Sequence, residues 1–163
     1  MSNATERVTP QLTLAELKSI AKRLVENYGK EAELYKSVLK LTQLQHDNLE
    51  GSGDIRDFIT LLHQKEDLIR AIDKIEVKLD DDKAKWVRVS DDLKNGANDH
   101  LNRILDEIIL TIEKIMKVEQ ENEQLLKSRK DEVEQELENI RKGRKAAQEY
   151  GRKKDAKLIS AIS

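Results

Sequence analysis

"FITLLHQKEDLIRAIDKIEVKL" runs from Phe58 to Leu79, and its spacing decides the fold. Phe58, Leu61, Lys65, Leu68, Ile72, Ile75 and Leu79 alternate by three and four residues, and six of these seven are apolar. A repeat of this kind predicts a long helix packed along a seam with left-handed supercoiling. Lys65 is the single polar position in the seam.

Immediately upstream stands "EGSGD", Glu50–Asp54, the clearest break in the chain. Glycine tolerates positive φ and ends helices, and Asp54 can cap the helix that follows. A turn this short predicts that the preceding helix is an antiparallel neighbour. That helix begins at "TLAE", Thr13–Glu16, a capping box in which the threonine oxygen accepts a free N–H of the first turn, and it runs towards Leu49. Leu14, Leu17, Ala21, Leu24, Tyr28, Tyr35 and Val38 carry its stripe, widened later by Leu34, Leu41 and Leu44. Gly29 is its weak point, either a kink or a position on the wet face.

Downstream, "DDDK" at Asp80–Lys83 is expected to end the seam as a solvated acidic cluster, and "SDDLKNGAND" to form a loop broken at Gly96 and capped by Asn98 or Asp99. Trp86 is expected to pack over the end of the bundle with Val87 and Val89. A third helix then spans 98–142. Leu101, Ile104, Leu105, Ile108, Ile112, Ile115 and Met116 share one arc of it, and the stripe returns at Leu126, Val133, Leu137 and Ile140. Between these lies "KVEQENEQLLKSRKDE", Lys117–Glu132, in which only Val118, Leu125 and Leu126 are plainly apolar and the seam carries Glu119, Asn122 and Glu123. A helix this polar needs something to lie against.

The fold class expected is all-α: an antiparallel bundle of three long helices with coiled-coil packing and a frayed or short-helical C-terminal tail. Its organisation would be a flexible lead-in at 1–12, one helical domain at 13–142 and a basic tail at 143–163. Composition agrees, with 38% charged residues, 3% aromatic and one proline in 163 residues, a long-helix profile. The 30 basic residues nearly balance the 32 acidic ones, which argues against whole-chain binding to nucleic acid or an anionic membrane. With no cysteine there is no disulfide framework and no thiolate chemistry. No apolar run approaches the ~18 residues of a membrane span, and the N-terminus lacks a signal-peptide pattern, so a cytoplasmic location is expected.

No catalytic, cofactor or metal constellation is found. His46, His63 and His100 are far apart and fit no ligand spacing, so they read as solvated surface residues. "GSGD" lacks the strand and the lysine–serine pair of a phosphate loop. From Arg141 to Lys157 there are eight basic residues against Glu149 and Asp155. Phosphate contacts are open to such a tail, but Tyr150 alone gives little base stacking. A solvated tail and an acidic protein partner are the other readings.

"ELYKSVLKLTQLQHDNLEGSGDIRDFITLLHQKEDLIRAIDKIE", Glu33–Glu76, resembles the first helical hairpin of flagellar export chaperones of the FlgN type. Leu34, Tyr35, Val38, Leu39 and Leu41 match the family's first helix. Leu62, Lys65, Glu66, Leu68, Ile69 and Ile72 match its second. "EQENEQLL", Glu119–Leu126, resembles its later E-x-x-N-x-x-L-L segment through Asn122, and "KGRKAAQEYG", Lys142–Gly151, its glycine-and-tyrosine tail. The resemblance covers most of 33–151. It implies a small cytoplasmic chaperone without catalytic site or cofactor. Such a chaperone holds late flagellar subunits, hook–filament junction or cap proteins, and delivers them to the export apparatus.

Read with that resemblance, the thin second half of helix three becomes a docking face for client helices, with Asn122, Leu125, Leu126, Val133, Leu137 and Ile140 as client-binding residues. The tail could cover that face through Tyr150, Leu158, Ile159 and Ile162. The alternative is a homotypic coiled-coil scaffold, in which a homodimer buries the same seam.

Overall fold

A computed structural model describes residues 12–89 and 91–149 of the chain, with side chains at most of them. These residues form four helices and no strand: α1 (Leu14–Glu50), α2 (Ile55–Val87), α3 (Asp91–Ser128) and α4 (Lys130–Glu149). None of these helices is long and apolar enough to cross a membrane.

Four helices replace the expected three because the long C-terminal helix is interrupted. Arg129 separates α3 from α4. Its amide bonds Leu126 O at 3.0 Å, a tightened i→i−3 turn, and Ser128 Oγ donates to Leu125 O at 2.7 Å. A serine hydroxyl that takes a carbonyl of its own last turn competes with continued helix. Beyond the break, α4 runs past the expected end at 142 to Glu149. The rest of the tail, 150–163, and residues 1–11 of the lead-in lie outside the described residues.

Two further expectations are overturned. "DDDK" does not end the second helix, which continues to Val87. Asp82 keeps the three–four spacing from Leu79 to Trp86 and is buried, because Arg23 Nε and Nη2 donate to its two carboxylate oxygens at 2.9 Å each. "DDLKNGAND" is not a loop but the start of α3.

The ends of α1 are built as its sequence indicates. Glu16 N donates to Thr13 Oγ1 at 3.1 Å. At the other end, Gly53 N reaches back to Asn48 O at 2.8 Å and Ser52 takes a left-handed φ of 59°, a Schellman-type stop with serine where glycine is usual. A Cβ at Gly53 would stand 2.4 Å from the Asn48 amide nitrogen, so a side chain there would displace the Asn48 amide that donates to Asp54 O. Asp54 caps α2 by accepting from Arg56 N at 2.9 Å. Gly29 does not interrupt α1: the helix is continuous through it, and a Cβ there would meet nothing within 4 Å.

The chain divides into two compact units. The first comprises the described residues up to Ser37 with those of Leu68–Ile112. Its core is apolar: Leu17, Ile20, Leu24, Tyr28 and Ala32 of α1, Leu79 and Trp86 of α2, Leu101 and Ile108 of α3. Trp86 is therefore packing, as expected, with Lys94 Nζ 5.5 Å from its ring centroid. Val87 is exposed and stands outside the expected apolar patch. The second unit comprises Val38–Asp67 with the residues from Glu113 onward. Its buried apolar side chains are Val38, Leu49 and Ile55.

Candidate functional site

In the second unit the seam positions of three helices converge on a layer of polar side chains. Thr42, Gln45, Lys65 and Asn122 are all buried there. Each stands where a heptad places a core residue. Gln45 follows Leu17, Leu24, Glu31 and Val38 at intervals of seven. Lys65 lies between Phe58 and Ile72, and Asn122 follows Leu101, Ile108 and Ile115. The heptad therefore carried each of these groups into the interior, and a buried polar group must find partners.

The layer supplies them. Lys65 Nζ donates to Gln45 Oε1 at 2.8 Å and to Glu119 Oε1. Gln45 Nε2 donates to Phe58 O at 3.3 Å. Asn122 Nδ2 donates to Thr42 O at 3.2 Å, and its Oδ1 lies 3.0 Å from His46 Nδ1. Thr42 Oγ1 bonds its own helix at Val38 O, 2.8 Å away. The other His46 nitrogen, Nε2, faces Glu50 Oε1 at 3.1 Å. This answers what the polar segment 117–132 lies against. Glu119 meets Lys65 of α2 and Thr42 of α1, and Asn122 meets Thr42 and His46 of α1.

His46 is thus a half-buried member of the layer and not the solvated surface residue expected. His63 is half-buried too, with Nδ1 3.4 Å from Glu66 Oε2 and Nε2 without a partner. His100 is exposed, as expected. Among the described residues no group of three His, Asp or Glu side chains could hold a metal ion.

Of the residues singled out as client-binding, Asn122 is 1% exposed and its amide is engaged within the unit. Leu125 and Leu126 are half-buried, as are Val133, Leu137 and Ile140 on α4. Leu126 lines an open groove with Met116, Glu119, Gln120 and Glu123. Met116 is 58% exposed, so the groove has an apolar floor at each end and carboxylates between. Tyr150, Leu158, Ile159 and Ile162 lie outside the described residues.

Where α3 gives way to α4, Arg129 is held in the same unit. Its Nη2 donates to Gly53 O at 2.7 Å and its Nε to Glu132 Oε2 at 2.8 Å. Arg56 of α2 stands 3.8 Å from Glu136 of α4. Sequence reasoning gave Arg129 no role. It does fall seven residues after Asn122, in the row of Leu101, Ile108 and Ile115, and that row was the available signal.

The first unit hides a different polar group. Glu31, 2% exposed, shares a hydrogen bond with Glu76, and burial together with that neighbour pushes its carboxyl up to about 8. The Glu31 bond and Lys83, whose Nζ lies 2.8 Å from Glu76 Oε2, hold Glu76 low. The pair is one protonated acid beside one carboxylate. Lys83 and the rings of Tyr28 and Tyr35 lie within electrostatic range of the pair, and burial together with the pair's charge raises the pKa of both tyrosines. The bond to Arg23 likewise keeps the Asp82 carboxyl below its usual range.

A family model described as FlgN protein matches residues 20–157. No curated protein and no solved structure matches the chain.

Proposed function

We propose, for a chain that belongs to the FlgN family of flagellar export chaperones, that it binds late flagellar subunits, hook–filament junction proteins, in the cytoplasm and carries them to the export apparatus. The observation that carries this reading is the thin apolar stripe of Leu126, Val133, Leu137 and Ile140. These side chains are only half-covered; Val133, Leu137 and Ile140, spaced by four and three residues, share one face of α4, and Leu126 stands just before the break at the end of α3. Together with Met116 they offer separated anchors to an amphipathic helix, without the continuous apolar patch that causes aggregation. Client segments that are disordered before assembly would fold on this face, meeting the cost of ordering from the apolar contact they gain. The role is one of binding and needs no catalytic group or cofactor. The contact series Arg23–Asp82 and Lys83–Glu76 with Glu31 supports an antiparallel course of α1 and α2 within the first unit.

The test is calorimetric titration of the purified chain with purified junction proteins. A saturable complex is expected. Leu126→Asp with Val133→Asp should weaken it at least tenfold while circular dichroism still reports a folded helical protein. A chain that sediments as a stable dimer and takes up no subunit would replace this reading with the homotypic scaffold.

A further inference from the structure

The geometry at Arg129 points to a device that the chaperone reading does not contain. We propose that Arg129 is a latch. In this arrangement α4 pivots at the one-residue break after Ser128, and the Arg129 bond to the Gly53 carbonyl holds it in the docked position. Release of that bond uncovers Val133, Leu137 and Ile140.

Four observations carry the proposal. The first is the break itself. Helix hydrogen bonding is interrupted at one residue, with the Ser128 hydroxyl on Leu125 O and the Arg129 amide on Leu126 O. A sharp interruption with a named cause is where a helix bends. The second is the socket. The α1–α2 turn is held at several points: Ser52 is left-handed, Gly53 N donates to Asn48 O at 2.8 Å, and Asn48 Nδ2 donates to Asp54 O at 3.2 Å. A rigid turn presents the Gly53 carbonyl at a fixed place, and Arg129 meets it at 2.7 Å.

The third is the thin apolar side of α4 among the described residues. Its large apolar side chains are three in twenty residues, Val133, Leu137 and Ile140, and all are only half-buried. The Arg56–Glu136 pair, at 3.8 Å with Arg56 largely exposed, is of the kind that contributes little. The fourth is that the latch is imperfect. Arg129 Nη1 is buried without a partner, and a desolvated, unpaired donor works against the docked state. A contact that is both specific and partly unfavourable suits a two-position element better than a permanent one.

That a client then occupies the uncovered stripe rests on the function proposed above. The latch itself does not, and its test uses no client. The chain has no cysteine, so spin labels can be placed at Gln64→Cys on α2 and Lys142→Cys on α4 of the full chain, both exposed positions. The parent should give one dominant inter-label distance. Arg129→Ala should add a second population, and binding of an apolar fluorescent dye should rise severalfold. Adding Val133→Ser and Leu137→Ser should remove that rise. Arg129→Met, which keeps the buried stem and loses every donor, should reproduce the second population, and it decides the matter should the alanine variant lose helix content. Arg141→Ala, the loss of an exposed guanidinium on the same helix, should change neither readout. Unchanged distances and unchanged dye binding in the folded Arg129→Met variant overturn the latch. Failure of the titration with junction proteins, by contrast, overturns the client reading and leaves the latch standing.

Discussion

The two units of this chain solve the same packing problem with opposite chemistry. Among the described residues each holds four buried polar side chains, yet ten of the buried apolar ones are in the first unit and three in the second. The first unit is therefore an ordinary core with polar inclusions. The second is a polar layer with a few apolar supports. Apolar burial gives about 25 cal/mol per Å² without regard to geometry, whereas the net gain from a hydrogen bond is small and depends on every partner being in place. The difference teaches where rigidity and where adaptability reside. The unit that supplies the half-covered stripe on α4 is also the one with less generic stabilisation, and elements that move are drawn from such regions.

The comparison breaks most visibly at Leu79, whose side chain is fully buried in the first unit. Leu79→Ala should cost about 3–4 kcal/mol, the transfer term plus an unfilled cavity. Chemical denaturation should show it. A loss below about 1 kcal/mol would mean that the first unit is not the tight core described.

The second unit should respond differently. Lys65→Ala leaves the buried Gln45 Oε1 without its donor and the half-exposed Glu119 without its cation, and should cost about 1–3 kcal/mol, the penalty of an unsatisfied buried acceptor. The double replacement Lys65→Met with Glu119→Met should recover most of that loss. Ion pairs replaced by apolar residues of similar volume are often neutral or stabilising, because desolvation offsets the attraction. Recovery would show that the layer fixes helix register more than it stabilises. If the double variant is as unstable as the single one, the layer contributes stability outright.

These two residues also mark what was legible in the sequence. The three–four spacing of α2 was plain, as were the cap at Thr13, the turn at 50–54 and the apolar faces of α1 and α3. What was missed shares one cause. On sequence alone Asp82 reads as part of the cluster that ends the seam, Lys65 as the one polar position within it, and Glu119 and Asn122 as a polar gap on its face, since side-chain polarity is weighed above position. The structure shows that position wins: Asp82 stays in the seam because Arg23 is there to receive it, and Glu119 because Lys65 is. Pairings between helices are long-range and leave no mark on either segment alone. The break at Arg129 was invisible for a related reason. Its cause is a serine hydroxyl and a carbonyl in a distant turn, with no glycine or proline to announce it. The stripe at Val133, Leu137 and Ile140 was legible as a pattern, and its half-burial was not.

A smaller effect sharpens the contrast from the first unit. Glu31 is held protonated, with its carboxyl raised from 4.5 to about 8. A carboxyl whose folded value is raised contributes stability that is complete below its unfolded value and is lost as pH rises through the folded one. The window is thus about pH 4.5 to 8. Glu76 and Asp82, whose folded values are lowered, act oppositely and lose their contribution in acid. Glu31→Gln keeps a donor for Glu76 without the charge. It should stabilise the protein by on the order of 2 kcal/mol at pH 8 and flatten the decline between pH 5 and 8. Denaturation midpoints across that range check it. An unaltered slope would mean that Glu31 is not the titrating group.

The smallest effects test the backbone. Ser52 sits at φ 59° where the Schellman stop favours glycine, and its side chain is exposed. Ser52→Gly should stabilise by about 1 kcal/mol, since the left-handed conformation costs an L-residue roughly that much. Gly29 is the converse case, a glycine within a continuous helix with open space where a Cβ would go. Gly29→Ala should stabilise by about 0.5–1 kcal/mol, through helix propensity and a less flexible unfolded chain. The two substitutions lie in different units, share no partner and should add. Their kinetics need not match. Ser52→Gly acts on the socket that receives Arg129, so it should leave the Gln64–Lys142 label distance as it is only if the turn keeps its shape. A shift in that distance, with the global stability raised as expected, would show that the serine's constraint on the turn is part of what positions the Gly53 carbonyl for the latch.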